Sequence, residues 1–365
     1  AIFFFQLLQG SLQKFLLLFR ERRLFLGRHI FVKGMKFVRF VWQNQVHLGI
    51  LDRSHQFVLS LGLASKALGR QFPFSDLVDY LREGKAYEGW VEWIARRYHE
   101  GGDFGELQIP YAAVRVLAPF ERPVSLRDGY AFRQHVEAAR RNRGLEMIPE
   151  FDQFPVFYFS NALAVTGPGP VYVYGRQLEK LDFELEVAVI LGRSGRHIPA
   201  HKADAYIFGY MLMNDWSARA LQMEEMKLNL GPAKGKDFAT SLGPWVVTPD
   251  ELEPYRVPPP HGHVGNSYRL ALQAEVNNSP VSYGYLSDMS WTFAEILERV
   301  SYGVLVEPGE VIGSGTVGTG CFLEINGHRR REDPTAPETW LKPGDEVLLI
   351  GQELGALHNY IVRTE

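Results

Sequence analysis

The chain has 365 residues, of which 46% are hydrophobic and 22% are charged, and its formal net charge is −3. This composition is ordinary for a globular protein of about two domains, and the near-neutral charge gives no support for a nucleic-acid partner. The single cysteine, Cys321, cannot form an internal disulfide, which fits a reducing cytoplasm, and the sequence contains no zinc-ligand spacing, P-loop or dinucleotide fingerprint.

Residues 1–34 differ from the rest of the chain. They contain seven Phe, eight Leu, six Lys or Arg and a single acid, Glu21. Such a segment could be a targeting peptide or a helix at a membrane surface. However, its charges interrupt every apolar run well short of the ~20 residues that span a bilayer. Because Met35 begins a regularly alternating stretch, we expect the native chain to start there. Residues 1–34 would then be upstream or expression-derived sequence, with no function and no membrane partner.

Residues 35–108 are expected to form a small α+β domain that supports the rest. Short alternating runs as far as residue 64 predict strands, and apolar residues spaced three and four apart predict helices at 74–83 and 88–98. The glycine-rich stretch 101–105 could mark the domain boundary. Few residue types suited to catalysis occur here, which favours a structural role.

Residues 109–365 read as a second, β-rich domain. It opens with a strand and a proline turn at 111–122, and Ser125 with Asp128 then resembles a capping box at a helix start. The predicted helices are 125–143, 216–226 and 291–300. The predicted strands are 155–160, 170–174, 181–191, 205–213, 244–248, 268–276, 304–306, 311–313, 321–325, 346–350 and 358–363. Many short strands with few helices indicate a mainly β fold with α elements (α+β), built as a β-roll, sandwich or barrel.

Two acids lie close together in the predicted strand at 181–192, LDFELEVAVILG. Glu184 and Glu186 are two residues apart, so on a strand both side chains leave the same face. Two carboxylates held together repel each other, and a hard cation such as Mg²⁺, Ca²⁺ or Mn²⁺ removes the repulsion better than zinc would. The alternative is that one Glu faces solvent at an edge bulge.

Asp215 lies at the junction of a predicted strand and the helix NDWSARALQ. It could cap that helix or bind a metal. Arg219 and Gln222 follow four and seven residues later on the same helix face, which is unusual for a purely structural cap. The loop LGPAKGKDF then presents Lys234 and Lys236, although a lysine beside glycine is usually solvated surface.

Asp128 and His135 are seven residues apart, which places them on one face of the predicted helix. A lone histidine in a helix is more often a hydrogen-bonded core residue than a base. Near the end of the chain, Thr316 lies among glycine turns, and Glu324 alternates within the predicted strand CFLEI. There Glu324 could point inward as the carboxylate partner of a histidine.

These motifs, taken in order, resemble the fumarylacetoacetate hydrolase family, which hydrolyses carbon–carbon bonds in aromatic amino-acid catabolism, and its acylpyruvate-hydrolase relatives. The resemblance covers about 110–365 and, more loosely, 35–109. It implies a β-roll or sandwich catalytic domain behind a small α+β domain, and assembly as a homodimer. It also implies a divalent metal, Mg²⁺ or Ca²⁺, with Mn²⁺ as a further candidate.

The resemblance also assigns residues to roles. The implied metal ligands are Asp128 of RDGYAFRQH, Glu184 and Glu186 of LDFELEVA, and Asp215 of NDWSARALQ. The implied catalytic residues are the base His135, its partner Glu324, and Arg219, Gln222 and Lys236. The implied substrate-binding residues are Tyr158 of FPVFY, Thr316 of GSGT and Arg143. In the family an arginine follows the histidine by nine residues. Gly144 stands there in this chain, so Arg143, or else Arg140 or Arg141, would take its place.

The implied activity is hydrolysis of a carbon–carbon bond in a β-diketo acid resembling fumarylacetoacetate or an acylpyruvate. Water activated by His135 and Glu324 would attack a carbonyl carbon, and the metal would stabilise the enolate that leaves. Tyr158 is followed by FSN rather than the family's HGR, which leaves the identity of the diketo acid open. The rival interpretations are an oxo-acid decarboxylase or tautomerase on the same scaffold, and a metal-stabilised binding protein without activity.

Overall fold

The computed structural model describes residues 34–142 and 144–365. The predictions for residues 1–33 and for Arg143 therefore lie outside the described residues. The helices are α1 Leu61–Ala67, α2 Leu77–Glu83, α3 Glu88–His99, α4 Arg133–Arg141, α5 Ala200–Ala203, α6 Arg219–Glu225, α7 Pro249–Leu252, α8 Phe293–Ser301 and α9 Phe322–Glu332. The strands are β1 Lys36–Trp42, β2 Gln45–Leu51, β3 Phe57–Ser60, β4 Gln108–Pro110, β5 Arg115–Val116, β6 Leu126–Gly129, β7 Phe157–Ser160, β8 Val165–Thr166, β9 Gly169–Tyr174, β10 Leu181–Asp182, β11 Leu185–Leu191, β12 Ile207–Asp215, β13 Ser217–Ala218, β14 Thr240–Val247, β15 Arg256–Val257, β16 Ser267–Tyr268, β17 Ala271–Val276, β18 Ser279–Tyr285, β19 Val311–Gly313, β20 Glu346–Gly351 and β21 Gly355–Thr364.

A 12-stranded sheet forms the frame, in the order β4-β3-β2-β1-β14-β12-β11-β19-β6-β7, with β5 beside β1 and β8 beside β14. A second sheet has the order β18-β17-β20-β21-β9. The strand order of the 12-stranded sheet runs from β4 at one edge to β7 at the other, so the 12-stranded sheet does not close into a barrel. The predicted class, mainly β with α elements, is confirmed. Strand β1 pairs with β14, which joins the start of the described chain to the sheet of the later residues. The domain boundary at residue 108 stays a prediction.

The central strands are buried on both faces because their side chains alternate between two apolar cores. In β11, Leu185 and Val187 pack in the first core, core 1, whereas Ala188 packs in the second, core 2. In β12, Leu212 belongs to core 1 and Met213 to core 2. An acid placed in either strand is consequently removed from water, which is costly unless a partner compensates its charge.

The predicted helix at 125–143 is wrong in its first part. Residues Leu126–Gly129 form strand β6, which pairs in parallel with β19 and antiparallel with β7. The Ser125 hydroxyl donates to Glu310 Oε2 at 2.8 Å instead of capping a helix. The helix begins only at Arg133, so Asp128 lies on a strand and His135 on α4, and the two do not share a helix face.

The predicted strand at 321–325 is wrong as well, because these residues begin helix α9. No side chain of its own segment caps this helix. Its first N–H groups donate instead to Asp182, which lies 140 residues earlier in the sequence. A further difference is that the predicted strand 181–191 breaks after Asp182 into β10 and β11. In residues 34–142 and 144–365, no helix combines the length and apolarity needed to cross a membrane.

Candidate active site

Four carboxyl groups converge on one buried point of the sheet. Asp128, Glu184, Glu186 and Asp215 each contribute an oxygen, and these oxygens lie within 4.8 Å of one another. All four residues are buried, with at most 4% of their surface exposed. We call this group the carboxylate cluster. Asp128 lies on β6, Glu184 and Glu186 lie just before and within β11, and Asp215 ends β12. The carboxylate cluster therefore forms only when the sheet is assembled.

Strand alternation explains why three of the four acids meet. Glu186 pairs with Met213 across β11 and β12, so both side chains lie on the same face. Asp215 is two residues beyond Met213 and therefore shares that face. Asp128 follows Leu126 by two residues on β6, and Leu126 packs in core 2 together with Met213. The three acids thus extend the face of the sheet that builds core 2.

A glycine allows Asp128 to reach across the sheet. Strand β19 lies between β6 and β11, and its Gly313 pairs with Asp128 on one side and Ala188 on the other. A Cβ at Gly313 would overlap the Asp128 carboxylate and would lie 2.9 Å from Met213 Cε. The missing side chain therefore keeps space open inside the cluster.

Glu184 reaches the cluster differently from the way its spacing predicts. It lies in the break between β10 and β11, and its backbone N–H donates to Asn214 Oδ1 at 2.9 Å. The i, i+2 relation with Glu186 on one strand is therefore not what brings these acids together. Nevertheless, Glu184 takes part in the cluster, as its sequence motif suggested.

Two buried cations compensate part of the negative charge. Lys236 Nζ donates to Glu184 Oε2 at 2.6 Å and to Asp215 Oδ2 at 2.5 Å. Arg219 donates from Nη2 to Glu184 Oε1 at 2.7 Å and from Nε to Asp182 Oδ2 at 2.8 Å. Burial alone would lower the pKa of Lys236, but its carboxylate neighbours hold it above its ordinary value. The loop lysine is thus part of the site and is not the solvated residue that its glycine-rich context favoured.

Burial acts to raise the pKa of all four acids, and the nearby cations oppose this rise unequally. Burial, followed by the charge of Asp215, raises the pKa of Asp128 to about 7. Burial, with Asp128 adding to it, raises the pKa of Glu186 well above its ordinary value. Burial also raises the pKa of Asp215, although Lys236 opposes the change. For Glu184, burial is outweighed by the adjacent cations, chiefly Lys236, which lower its pKa.

The cluster fits a hard divalent cation. Glu186 Oε2 and Asp215 Oδ1 are buried and have no hydrogen-bond donor among the described residues. Such orphaned carboxylate oxygens are costly in a dry interior, and a cation supplies the missing partner. The donor set consists of oxygen alone, which suits Mg²⁺, Ca²⁺ or Mn²⁺ rather than zinc.

His135 and Glu324 form a buried pair beside the cluster. His135 Nδ1 contacts Glu324 Oε1, and Glu324 Oε2 accepts the Thr319 N–H at 3.1 Å. Only 5% of His135 and 4% of Glu324 is exposed. Glu324 lies in the first turn of α9 and not on a strand, so the predicted partnership is formed by packing of α9 against α4. A positive charge on His135 would lower the pKa of Glu184, which places the pair within electrostatic reach of the cluster.

The remaining predicted residues fall into two groups. Tyr158 donates its hydroxyl to Asp215 Oδ2, and Thr316 donates to Glu186 Oε1 at 3.3 Å, so both contact the cluster. Gln222 Oε1 accepts from Arg219 Nη1 at 3.0 Å. In contrast, Arg140 Nε donates to the Glu146 carbonyl, outside the cluster. The substrate-binding role given to Arg143 has no described geometry.

Sequence reasoning missed three residues of the site. They are Asp182, which binds Arg219, Asn214, which holds the Glu184 backbone, and Gly313, which leaves room for Asp128. Asp182 carried a signal, because an acid in the apolar run LDFELEVA calls for a partner. Gly313 and Asn214 carried none, since their roles depend on strand neighbours that are far apart in sequence.

Comparison with known proteins finds a family and several relatives. The family model described as "Fumarylacetoacetate (FAA) hydrolase C-terminal" matches residues 125–362, a range that contains every predicted site residue. Fumarylacetoacetase of Arabidopsis thaliana is 33% identical over 201 residues, which cover 47% of this chain and 48% of that protein. The match thus spans about half the length of that relative. Oxaloacetate tautomerase YisK of Bacillus subtilis is 26% identical over 338 residues, which cover 90% of this chain and 100% of that protein.

Among solved structures, maleylpyruvate hydrolase from Sphingobium sp. SYK-6, in complex with manganese(II) ion and pyruvate, resembles this chain with a TM-score of 0.61. The likeness covers 91% of this chain and 100% of that one, at 17% sequence identity. It therefore shows a shared fold.

Proposed function

Since the chain belongs to the fumarylacetoacetate hydrolase family, we propose that it is a metal-dependent hydrolase that cleaves a carbon–carbon bond of a β-diketo acid. The observation that carries this proposal is the buried His135–Glu324 pair beside four carboxylates. Hydrolysis needs a base that activates water and positive charge that stabilises the oxyanion. We propose His135, which contacts Glu324, as the base. Lys236 and Arg219, which both donate to Glu184, are proposed to supply the positive charge.

The residues of the chain divide the work as follows. Glu324 accepts the Nδ1–H of His135, which leaves Nε2 free to take a proton from water. The water oxygen then bonds to a substrate carbonyl carbon. As the tetrahedral adduct collapses, the carbon–carbon bond breaks, and the leaving carbon takes the proton that His135 Nε2 removed from water. A divalent cation bound by Asp128, Glu184, Glu186 and Asp215 would supply Lewis acidity and orient substrate oxygens.

Lys236 and Arg219 are the donors proposed to stabilise negative charge on the reacting oxygens. Both are buried, with 4% and 2% of their surface exposed, so each charge acts in a medium of low polarity. Gln222 orients Arg219 through its hydrogen bond. Tyr158 and Thr316 are proposed to line the substrate side of the cluster, since each already donates to one of its acids.

A second candidate is tautomerisation of an oxo acid. The tautomerase of Bacillus subtilis favours this candidate, because its alignment covers 90% of this chain and 100% of that protein. His135 would then remove a proton from carbon rather than from water. The same cluster would serve both reactions, and their products separate them.

A substrate panel tests the proposal. The protein is stripped of metal, reconstituted with Mg²⁺, Mn²⁺ or Ca²⁺, and assayed with fumarylacetoacetate, acylpyruvates and oxaloacetate in water enriched in ¹⁸O. Hydrolysis predicts two products and ¹⁸O in the new carboxylate. Keto–enol exchange of oxaloacetate without bond cleavage would support the tautomerase and contradict the hydrolase.

The homodimer is proposed from the family alone, and light scattering on a size-exclusion column measures it.

A further inference from the structure

Asp182 is a buried acid whose two oxygens are both fully engaged. It is 0% exposed. Its Oδ1 accepts the N–H groups of Phe322 at 2.8 Å and of Phe183 at 3.0 Å. Its Oδ2 accepts the Leu323 N–H at 3.0 Å and Arg219 Nε at 2.8 Å. A carboxylate that gathers four N–H donors from three separate segments fixes those segments relative to one another.

Two of these partners lead directly into the candidate active site. The guanidinium of Arg219 is planar, so holding its Nε fixes the direction of Nη2, which donates to Glu184 at 2.7 Å. Leu323 immediately precedes Glu324, the carboxylate that contacts His135. Asp182 therefore joins the cluster side of the site to the side that holds the base.

Helix α9 depends on Asp182 for its start. Its N-cap residue, Cys321, makes no side-chain hydrogen bond to the helix, so the first N–H groups would otherwise be unsatisfied in the interior. An anion at a helix start is also favoured by the helix dipole. Without this acid, the first turn would lose its anchor, and Glu324 lies in that turn.

We infer that Asp182 is a positioning residue that aligns Glu324 with His135 and aims Arg219 at Glu184. The inference rests on the proposed function only for its kinetic test. A purely structural role for a buried acid–arginine pair predicts a loss of stability, whereas positioning predicts a loss of turnover beyond any loss of stability.

The first variant is Asp182→Asn, which replaces an acceptor oxygen with an NH₂ group that cannot accept from Leu323 or Arg219. We expect kcat to fall about 10- to 100-fold, the range typical of partners that orient a site residue. KM should change little, and the Mg²⁺ content at saturation should stay full, because all four carboxylates of the cluster remain.

A matched control is available in Asp76→Asn. Asp76 is also buried, accepts the N–H groups of Val78 at the start of α2 and of Glu121, and lies 3.5 Å from Arg39 Nε. Its partners do not touch the candidate active site. This variant should lose a comparable amount of thermal stability while kcat is unchanged. An equal drop in kcat for Asp76→Asn and Asp182→Asn would overturn the inference.

A spectroscopic measurement separates this inference from the proposed function. The proton between His135 Nδ1 and Glu324 should give a far-downfield ¹H resonance, assigned by its loss in Glu324→Gln. We expect it to shift or broaden in Asp182→Asn and to stay in place in the Asp76 variant. If the wild type turns over nothing in the panel but this pattern is seen, the function fails and the positioning role stands. An unshifted resonance in Asp182→Asn contradicts the positioning role whatever the activity.

A second variant covers the case in which Asp182→Asn does not fold. Asp182→Glu keeps the charge and displaces the carboxylate by one methylene. It should fold, yet show a reduced kcat and a displaced resonance, because the donors cannot all follow. Double variants test the route of this effect. If Asp182 acts chiefly through Glu324, adding Glu324→Gln to either Asp182 variant that folds should give the same kcat as Glu324→Gln alone. Fully additive losses would contradict that route.

Discussion

At the scale of single residues, Lys236 and Arg219 decide the charge balance of the site. Within residues 34–142 and 144–365, the four clustered carboxylates and Asp182 face only these two buried cations. Both cations contact Glu184, whereas Glu186 contacts neither in the described structure. The carboxyl groups that lack a compensating cation therefore lie mainly on the side of Glu186, where a carboxyl oxygen also lacks a donor.

The first prediction at this scale concerns the base. His135→Ala should lower kcat by about 10²–10⁴-fold, because a positioned general base contributes that much. Metal content should stay full, since His135 contacts Glu324 and is not one of the four clustered acids. Steady-state kinetics and metal analysis of the purified variant check both statements.

The control for this prediction is His47→Ala. His47 is a buried histidine on β2 that bonds Ser60 Oγ at 3.0 Å, far along the sheet from the cluster. Its loss should leave turnover unchanged. If His135→Ala loses metal together with activity, the histidine supports metal binding and its assignment as a base is wrong.

The second prediction concerns Glu186, whose Oε2 lacks a donor. Glu186→Gln should weaken Mg²⁺ binding by more than the roughly 10- to 100-fold that loss of an outer-shell partner costs. The metal-free variant should be at least as stable as the metal-free wild type, because it removes a buried acid whose ionisation is disfavoured by burial and by its carboxylate neighbours. Calorimetric titration with Mg²⁺ measures the affinity.

Glu275→Gln is the matched change outside the site. Glu275 is buried on β17 and accepts from Gln273 Nε2 at 2.8 Å. Unchanged Mg²⁺ affinity is expected in this variant. Equal affinity in both variants and the wild type would remove Glu186 from the set of metal ligands.

At the scale of elements, the sequence predicts long periodic strands well and junctions poorly. Strand β11 and helix α8 were expected because their apolar residues repeat over a full element. In contrast, Leu126–Gly129 looked helical because Ser125 and Asp128 imitate a cap, and the sheet partners that override this signal lie in β7 and β19. The start of α9 looked like a strand because its cap, Asp182, is remote in sequence.

The candidate site was more predictable than the elements that carry it. Asp128 and Glu324 were chosen from motifs, although each was assigned to the wrong kind of element. Their side chains still lie beside their predicted partners. The motifs predict which residues come together, but they do not predict the secondary structure that carries each residue. Gly313 could not be found in this way, since its role is a space that only the assembled strands define.

The prediction at this scale concerns strand β19. Gly313→Ala should cost about 1–3 kcal/mol of stability, because its Cβ would overlap Asp128 and crowd Met213. Displacing Asp128 should also weaken Mg²⁺ binding without the removal of any carboxylate. Thermal melts and Mg²⁺ titration measure the two effects.

Gly89→Ala tests whether steric crowding is the cause. Gly89 lies in α3, and a Cβ there would meet nothing within 4 Å. This variant should gain about 0.4–1 kcal/mol of stability and bind Mg²⁺ normally. Normal Mg²⁺ affinity in Gly313→Ala would show that Asp128 does not need the space.

At the scale of the whole molecule, one sheet connects strands β1–β4 to the strands that carry the site. Strands β12 and β11, which carry Asp215 and Glu186, lie in the middle of the 12-stranded sheet between β14 and β19. Because both of their faces are covered by apolar cores, the cluster is held in a buried environment of low polarity. Such an environment stabilises the fold around the site but penalises ionised acids inside it, so stability and metal binding are linked.

This linkage gives a pH dependence with a definite sign. In the metal-free protein the pKa of Asp128 is about 7, against about 4 in an unfolded chain. Between these values the folded state holds a proton that the unfolded state has released, so the free energy of unfolding should fall as the pH rises from about 4 to about 7. Bound Mg²⁺ keeps the carboxylates ionised, so its stabilising effect should grow over the same interval. Melting temperatures with and without Mg²⁺ across this range measure both trends. Asp128→Asn, which cannot titrate at this position, should make the metal-free decline less steep, while Glu186 and Asp215, whose pKa values are also raised, keep their part of it. An equally steep decline in that variant would assign the trend to those other groups.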